Sequence, residues 1–128
     1  MKTQVTFETD FFKPEPGEDQ HTNPGCFGRA LAVWLQAQLA TRGVPSEAII
    51  AEDFGWVIMV SRQPFLLWLA CANTEDSITE WRIFPVAELS LRQRLFSKPD
   101  TKTETDKLWE HVKAVVPEIP DVHNMIWD

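Results

Sequence analysis

The sequence predicts an α+β fold: a single antiparallel sheet of about four to six strands with two main helices packed on it. A run of short apolar segments separated by polar turns occupies the middle of the chain, and a segment with helical spacing of its apolar residues lies on each side of that run. The chain has 128 residues, of which 44% are hydrophobic and 11% aromatic. This length and composition predict one folded domain over residues 1–128.

The first strand and the first helix are predicted before residue 44. Thr3–Phe7 alternates weakly between polar and apolar residues, as an edge strand does, and the proline-rich, acidic Lys13–Gln20 is predicted to be a loop. Asn23 and Pro24 form a typical helix start, with Asn as the N-cap and Pro at the first helical position. Large apolar residues then recur at helical spacing as far as Leu39, and a glycine follows Arg42, so the first helix is predicted over about Pro24–Arg42.

Three strands are predicted next, at Ala48–Glu52, Trp56–Val60 and Phe65–Ala72. Only Ser61–Pro64 separates the second from the third, so these two are expected to form an antiparallel hairpin. Both strands of the hairpin are apolar on both faces. This pattern indicates either central strands that are covered on both sides or a sheet with an exposed functional face.

A polar turn at Asn73–Ser77 leads to a half-exposed strand over Ile78–Phe84, in which apolar and charged residues alternate. The following stretch, Pro85–Ser97, fits a strand and a helix almost equally well, and both remain open. The one basic cluster of the chain lies at its end and consists of Arg92, Arg94 and Lys98. We expect this cluster to be a solvated face.

The last helix is predicted to begin at Thr101–Glu104, which has the residue pattern of a capping box, and to end at Pro117. Its buried stripe is expected to contain Thr105, Leu108, Val112 and Val115. In the tail, Met125–Trp127 is expected to form a short final strand or to tuck against the core.

Composition excludes several function classes. The net charge of −7 has the wrong sign for general attraction to nucleic acid. No apolar run approaches the ~20 residues of a membrane span, and the start of the chain lacks the apolar core of a signal peptide, so we expect a cytoplasmic protein without a membrane partner. The two cysteines do not form a CxxC pair, and no metal-ligand or nucleotide-binding motif is present. We therefore expect no metal and no cofactor.

Cys26 is the best candidate for a catalytic residue, because the predicted helix places it in the first turn, where free N–H groups stabilise a thiolate. A cysteine at a helix start, followed by a sheet, resembles the papain-like and NlpC/P60-type cysteine peptidases and amidases. The resemblance implies a histidine base, which here would be His21 or His111. A small buried thiol without a chemical role is the favoured interpretation, and a cysteine hydrolase remains an alternative. A small-ligand domain, with a cleft between hairpin and helix, is another.

A second candidate site lies at Glu52–Trp56, where two acids and a glycine connect apolar strands. A turn that projects carboxylates beside an aromatic ring is a suitable anchor for a basic protein partner. We predict a partner-binding patch formed by Glu52, Asp53, Trp56, Glu75, Asp76, Glu80 and Trp81.

The segment from residue 24 to residue 72, with its EDFGW turn, resembles small bacterial proteins that carry an ED(F/W)GW motif. Small acidic single-domain proteins of this kind are frequent among bacterial immunity proteins, which neutralise a cognate toxin. The resemblance thus implies a non-enzymatic inhibitor whose partner is a basic toxin or effector domain. Clustered acids would also accelerate association with such a partner. The sequence leaves the oligomeric state open.

Overall fold

The computed structural model describes residues 3–128 and confirms the α+β class. It contains one six-stranded antiparallel sheet in the order β2-β3-β4-β5-β1-β6, two main helices and three short helical turns. The strands are β1 (Val5–Glu8), β2 (Ile49–Glu52), β3 (Gly55–Ser61), β4 (Leu66–Asn73), β5 (Glu80–Glu88) and β6 (His123–Trp127); the main helices are α1 (Arg29–Thr41) and α2 (Lys102–Val115); the short turns are Glu18–Gln20, Gln93–Ser97 and Val116–Glu118.

The hairpin of β3 and β4 is confirmed, and so is a final strand in the tail. The prediction of an edge strand near the start of the chain is wrong. β1 lies inside the sheet, with Val5 opposite Ile83 of β5 on one side and Trp127 of β6 on the other. Because its neighbours come from distant parts of the chain, the local sequence carried no sign of them.

Both main helices pack on the same face of the sheet. Alternate side chains of the strands point to that face and join the helices in one core, which contains Val5 and Phe7 of β1 and Trp81 and Ile83 of β5. The buried side chains of α2 are Leu108, Trp109, Val112 and Val115. The predicted stripe of this helix is thereby confirmed except for Thr105, which is half-buried.

The first helix begins at Arg29 and not at Pro24, and Asn23 is not its N-cap. The carboxylate of Glu18 performs this role from the preceding loop: it accepts the N–H of Gly28 at 2.9 Å and the N–H of Arg29 at 3.1 Å. This arrangement satisfies two of the N–H groups that a helix start leaves without partners. Residues 24–28 instead form a loop against the sheet.

Gly28 is required at this loop because its backbone lies against β4. It has a φ of 151°, and a Cβ atom built on it would lie 2.3 Å from the carbonyl oxygen of Cys71. No residue with a side chain fits that approach without displacing the strand.

The capping box predicted for α2 is not formed. Thr101 makes no side-chain capping bond, and Asp100 takes this role one residue earlier, since its carboxylate accepts the N–H of Lys102 at 2.9 Å. The helix ends at Val115, and Pro117 lies in the short turn that follows.

The stretch predicted ambiguously, Pro85–Ser97, contains two structures. Its first residues extend β5 to Glu88, and Gln93–Ser97 forms a single π-helical turn. Within residues 3–128, β5 pairs over residues 84–88 with β4 alone, because β1 ends its pairing at Ile83. In this part of the chain Pro85 therefore has one neighbouring strand, and its missing N–H group costs no ladder hydrogen bond on the opposite side.

Candidate functional site

The face of the sheet opposite the helices carries apolar side chains at its centre. Trp68 of β4 and Phe84 of β5 point to this face, because their neighbours in sequence, Leu69 and Ile83, belong to the helix-side core. Val57 of β3 shares the face. We call this surface the open face. Neither main helix covers it, and its hairpin residues are nevertheless buried or half-buried.

Three rings form a stacked group on the open face, which we call the aromatic cluster: Phe54, Trp68 and Phe84. Phe54 belongs to the turn between β2 and β3, and its ring lies 6.2 Å from Trp68 at an angle of 22° and 6.1 Å from Phe84. All three side chains are half-buried. Val57 and Ala70 on the same face are buried although neither main helix packs there, as expected if the rings lie across them.

Arg82 is the cation at the centre of the open face. Its guanidinium carbon lies 5.4 Å from the centroid of Phe84, a cation–π distance. Its Nε is buried and has no hydrogen-bond acceptor within residues 3–128. Beside it, a hollow of about 310 Å³ is lined by Arg82, Phe84 and Val86 together with the residues that precede β1. The hollow lies beside β5; a smaller one, of about 170 Å³, lies between Trp56 of the hairpin and Arg29 of α1.

Five of the predicted partner-binding residues lie at one end of the sheet. Glu52 ends β2 and Asp53 lies in the β2–β3 turn, while the β4–β5 turn carries Glu75 and Asp76, with Glu80 starting β5. Consecutive hairpins turn at alternate ends of a sheet, so these two turns leave from the same end. All five side chains are in exposed residues. We call this group the acidic end.

The loop before α1 joins the two acidic turns. The N–H of Asn23 donates to the carbonyl of Asp53 at 3.0 Å, and Gly25 lies so close to Asp76 that an added Cβ would be 2.2 Å from its Oδ1. Asn73 completes the link: its side-chain amide accepts the N–H of Phe27 at 2.9 Å and donates to the carbonyl of Gly25 at 2.8 Å. The acidic turns are therefore held on a common support.

The two tryptophans of the predicted patch point to the other face of the sheet. Trp81 is 1% exposed and donates its indole N–H to the carbonyl of Thr9 at 3.2 Å, so it is a core residue and cannot contact a partner. Trp56 is 7% exposed, and the guanidinium carbon of Arg29 lies 5.9 Å from its ring centroid. Assigning these two side chains to the contact surface was therefore wrong.

The sequence does not predict that Trp68, Phe84 and Phe54 form a cluster. It predicts only that Phe54 belongs to the turn after Asp53. One feature of the sequence pointed to these rings: β4 has apolar residues on both faces. The helices can cover only one of its two alternating sets of side chains, so the other set, which includes Trp68, had no predicted partner. Glu18, which caps α1, and Asn73, which holds the loop before α1, had no such feature in the sequence. Glu18 is one of several acids in a loop, and Asn73 begins a polar turn.

Cys26 lies in the loop before α1 and not, as predicted, in the first turn of the helix. Of the two histidines considered as its base, His111 is hydrogen-bonded to another residue. The ring of His21 lies 6.4 Å from that of Trp56, and Nδ1 of His111 accepts a hydrogen bond from Arg42 at 3.2 Å. Within residues 3–128, no imidazole forms a hydrogen bond with the Cys26 sulfur.

No group of three or more His, Cys, Asp and Glu side chains within residues 3–128 could hold a metal ion. No helix in this part of the chain has both the length and the apolar character to cross a bilayer. Comparison of the chain with models of known protein families, with curated proteins and with solved structures finds no match.

Proposed function

We propose that the protein is a non-enzymatic protein-binding module, and that it acts as an immunity-type inhibitor that neutralises a cognate bacterial toxin. The observation that carries the proposal is the position of the aromatic cluster directly beside the acidic end. Phe54 joins them, because it follows Asp53 in the chain and its ring stacks on Trp68.

The aromatic cluster would supply most of the contact energy. Large rings that are already packed against each other lose little conformational freedom on binding, and aromatic residues are enriched among the residues that dominate interface energies. A half-buried group on a face without a helix leaves apolar surface for a partner to cover. The open face is thus suited to a protein surface of matching shape.

The acidic end specifies the charge of the partner. Five exposed carboxylates at one end of a chain with a net charge of −7 attract a basic surface and disfavour an acidic one. A toxin that cuts nucleic acid has a basic substrate cleft, and an acidic inhibitor placed over that cleft would exclude the substrate. The carboxylates would mainly raise the association rate, and the rings would slow dissociation.

The test uses the purified protein encoded immediately upstream of this chain's gene. We expect that protein to stop bacterial growth when expressed alone and to be harmless when this chain is co-expressed. Isothermal titration calorimetry should then detect a complex between the two purified proteins. Failure of the two to bind, or unchanged growth inhibition on co-expression, would refute the inhibitor proposal.

Two variants locate the contact surface within that complex. The double variant Glu52→Lys/Asp53→Lys should weaken binding and reduce its dependence on salt. The variant Phe54→Ser should weaken binding at least tenfold with the salt dependence retained.

The matched control is Glu104→Lys/Glu110→Lys on α2, which changes the net charge by the same amount at a distant surface. An equal loss of affinity in this control would show that overall charge, and not the acidic end, determines binding. Circular dichroism of each variant verifies that it folds.

A further inference from the structure

The segment Ser90–Lys98, between β5 and α2, carries the most exposed large hydrophobic side chains in the described part of the chain. Leu91 is 71% exposed, Leu95 is 62% exposed and Phe96 is 81% exposed. Side chains of this size are normally covered in a folded protein, and three of them within six residues form a contiguous apolar projection. We call this segment the basic projection, because it also carries Arg92, Arg94 and Lys98.

Hydrogen bonds hold the basic projection in one conformation. Ser90 and Gln93 form a reciprocal cap, in which the N–H of Ser90 donates to Oε1 of Gln93 at 2.9 Å and the N–H of Gln93 donates to Oγ of Ser90 at 3.2 Å. The side-chain amide of Gln93 also donates to the carbonyl of Pro64 in the β3–β4 turn. Lys98 closes the turn with a φ of 39°. The turn is thus fixed to the sheet, yet none of residues 93–97 is buried.

The cations of the basic projection have no acidic partners in residues 3–128. Arg92, Arg94 and Lys98 take part in none of the ion pairs found there, and the segment itself contains no acid. The lysines of α2 differ: Lys107 and Lys113, for example, each lie 3.4 Å from a glutamate. Glu88 and Asp100 flank the basic projection, and the carboxylate of Asp100 caps α2.

The acidic end lies too far away to neutralise these charges. β5 runs for nine residues from Glu80 at the acidic end to Glu88 beside the basic projection. At about 3.3 Å per residue this separation is roughly 26 Å. The Debye length at physiological ionic strength is about 8 Å, so the distant carboxylates are screened. The molecule therefore presents one acidic and one basic, apolar end.

We infer that the basic projection docks the protein on an anionic lipid surface. Leu91, Leu95 and Phe96 would enter the boundary between headgroups and acyl chains, while the arginines and the lysine contact lipid phosphates. This inference differs from the expectation of a solvated face and no membrane partner, which considered only spanning segments. It does not depend on the proposed protein partner, whose surface lies at the other end of the sheet.

Lipid is favoured over a protein occupant by the shape and charge of the projection. Exposed apolar tips on a single turn need a matching groove in a protein partner, whereas a bilayer accepts them without one. A second copy could offer its acidic end, but such a head-to-tail contact does not close on itself and leads to open chains of molecules.

The experiment is co-sedimentation of the purified full chain with vesicles of phosphatidylglycerol and phosphatidylcholine or of phosphatidylcholine alone. We expect binding to the anionic vesicles to be at least tenfold stronger and to weaken with added salt. Each basic residue near an anionic surface contributes about fivefold, or ~1 kcal/mol. The variant Arg92→Gln/Arg94→Gln should therefore bind about 25-fold more weakly. The variant Leu95→Ser/Phe96→Ser should lose at least tenfold.

The control Lys107→Gln/Lys113→Gln removes the same charge from α2 and should leave vesicle binding within about twofold, because its lysines are paired with acids. Equal binding to both kinds of vesicle, or an equal loss in this control, would overturn the inference. Sedimentation velocity adds another outcome. If the protein does not bind vesicles but forms a dimer that the variant Arg92→Gln/Arg94→Gln abolishes, the basic projection contacts a second copy. That outcome would also overturn the inference of lipid binding.

Discussion

Glu18 holds the start of α1 from outside the helix, and its replacement by alanine should destabilise the protein by about 3 kcal/mol. Its Oε2 accepts the N–H groups of Gly28 and Arg29, and its Oε1 accepts the N–H of Glu15 at 3.1 Å. Gly28 is buried, so water cannot replace the carboxylate as the acceptor of its N–H. Leaving such a donor without a partner costs about 2 kcal/mol. Glu15 and Arg29 are exposed residues whose N–H groups can be hydrated, at about 0.5 kcal/mol each.

The assay is equilibrium unfolding in urea followed by tryptophan fluorescence. With a slope of about 2 kcal/mol per molar urea, the midpoint of Glu18→Ala should fall by about 1.5 M while the slope stays unchanged. Glu18→Gln retains one acceptor oxygen of the two, so its loss should be about half as large.

The control is Glu15→Ala, three residues earlier in the same loop. Its carboxylate is exposed and approaches Arg29 at 3.9 Å only, so the free energy of unfolding should change by less than about 0.5 kcal/mol. Equal losses in Glu18→Ala and Glu15→Ala would refute the reasoning, since the capping bonds would then contribute nothing beyond a surface charge.

Three further outcomes are expected. Gly28→Ala should lower the free energy of unfolding in urea by at least about 3 kcal/mol because of the contact with β4, and a loss below about 1 kcal/mol would contradict this. Burial raises the pKa of the Cys71 thiol far above its ordinary value. Iodoacetamide at about pH 8 should therefore label half-buried Cys26 in the folded protein and Cys71 only after unfolding, as measured by mass spectrometry. Comparable labelling of both cysteines in the folded protein would contradict this expectation. The hydroxyl of Thr103 and backbone N–H groups of α2 lower the pKa of Asp100 from 3.8 by hydrogen bonding. The stabilisation is therefore present above the unfolded pKa and lost as the pH falls through the folded value. The Tm difference between wild type and Asp100→Ala should be present at about pH 6 and should shrink as the pH falls below 3.8; a Tm difference that does not vary with pH would count against this cause.

The sequence predicts the strands and the helix stripes because these depend on neighbouring residues along the chain. The extent of β5 depends on something else. Pro85 reads locally as the end of a strand, yet β5 continues to Glu88 because only β4 pairs with this part of it. Strand order is set by contacts between distant segments, so the tolerance for proline at this position has no local signature.

The candidate site shows the same division. The acids of the two turns lie at one end of the sheet because consecutive hairpins alternate between its ends, although they were predicted as a patch only from their place beside an aromatic residue. The choice of rings is wrong because the hairpin strands carry large apolar residues on both faces. Alternation along a strand places Trp56 and Val57 on opposite faces of the sheet, and likewise Trp68 and Leu69. It does not show which of the two faces the helices cover. The helix-side set includes Trp56 and leaves Trp68 on the open face.

The place of β1 between β5 and β6 orders the events of folding during synthesis. Val5–Glu8 is translated before both of its neighbours, Glu80–Glu88 and His123–Trp127. At typical elongation rates this delay is on the order of ten seconds. During that interval Val5 and Phe7 have no core to enter, so the nascent chain presents a short apolar strand to chaperones. Sheet assembly is therefore completed only after nearly the whole described chain has been made.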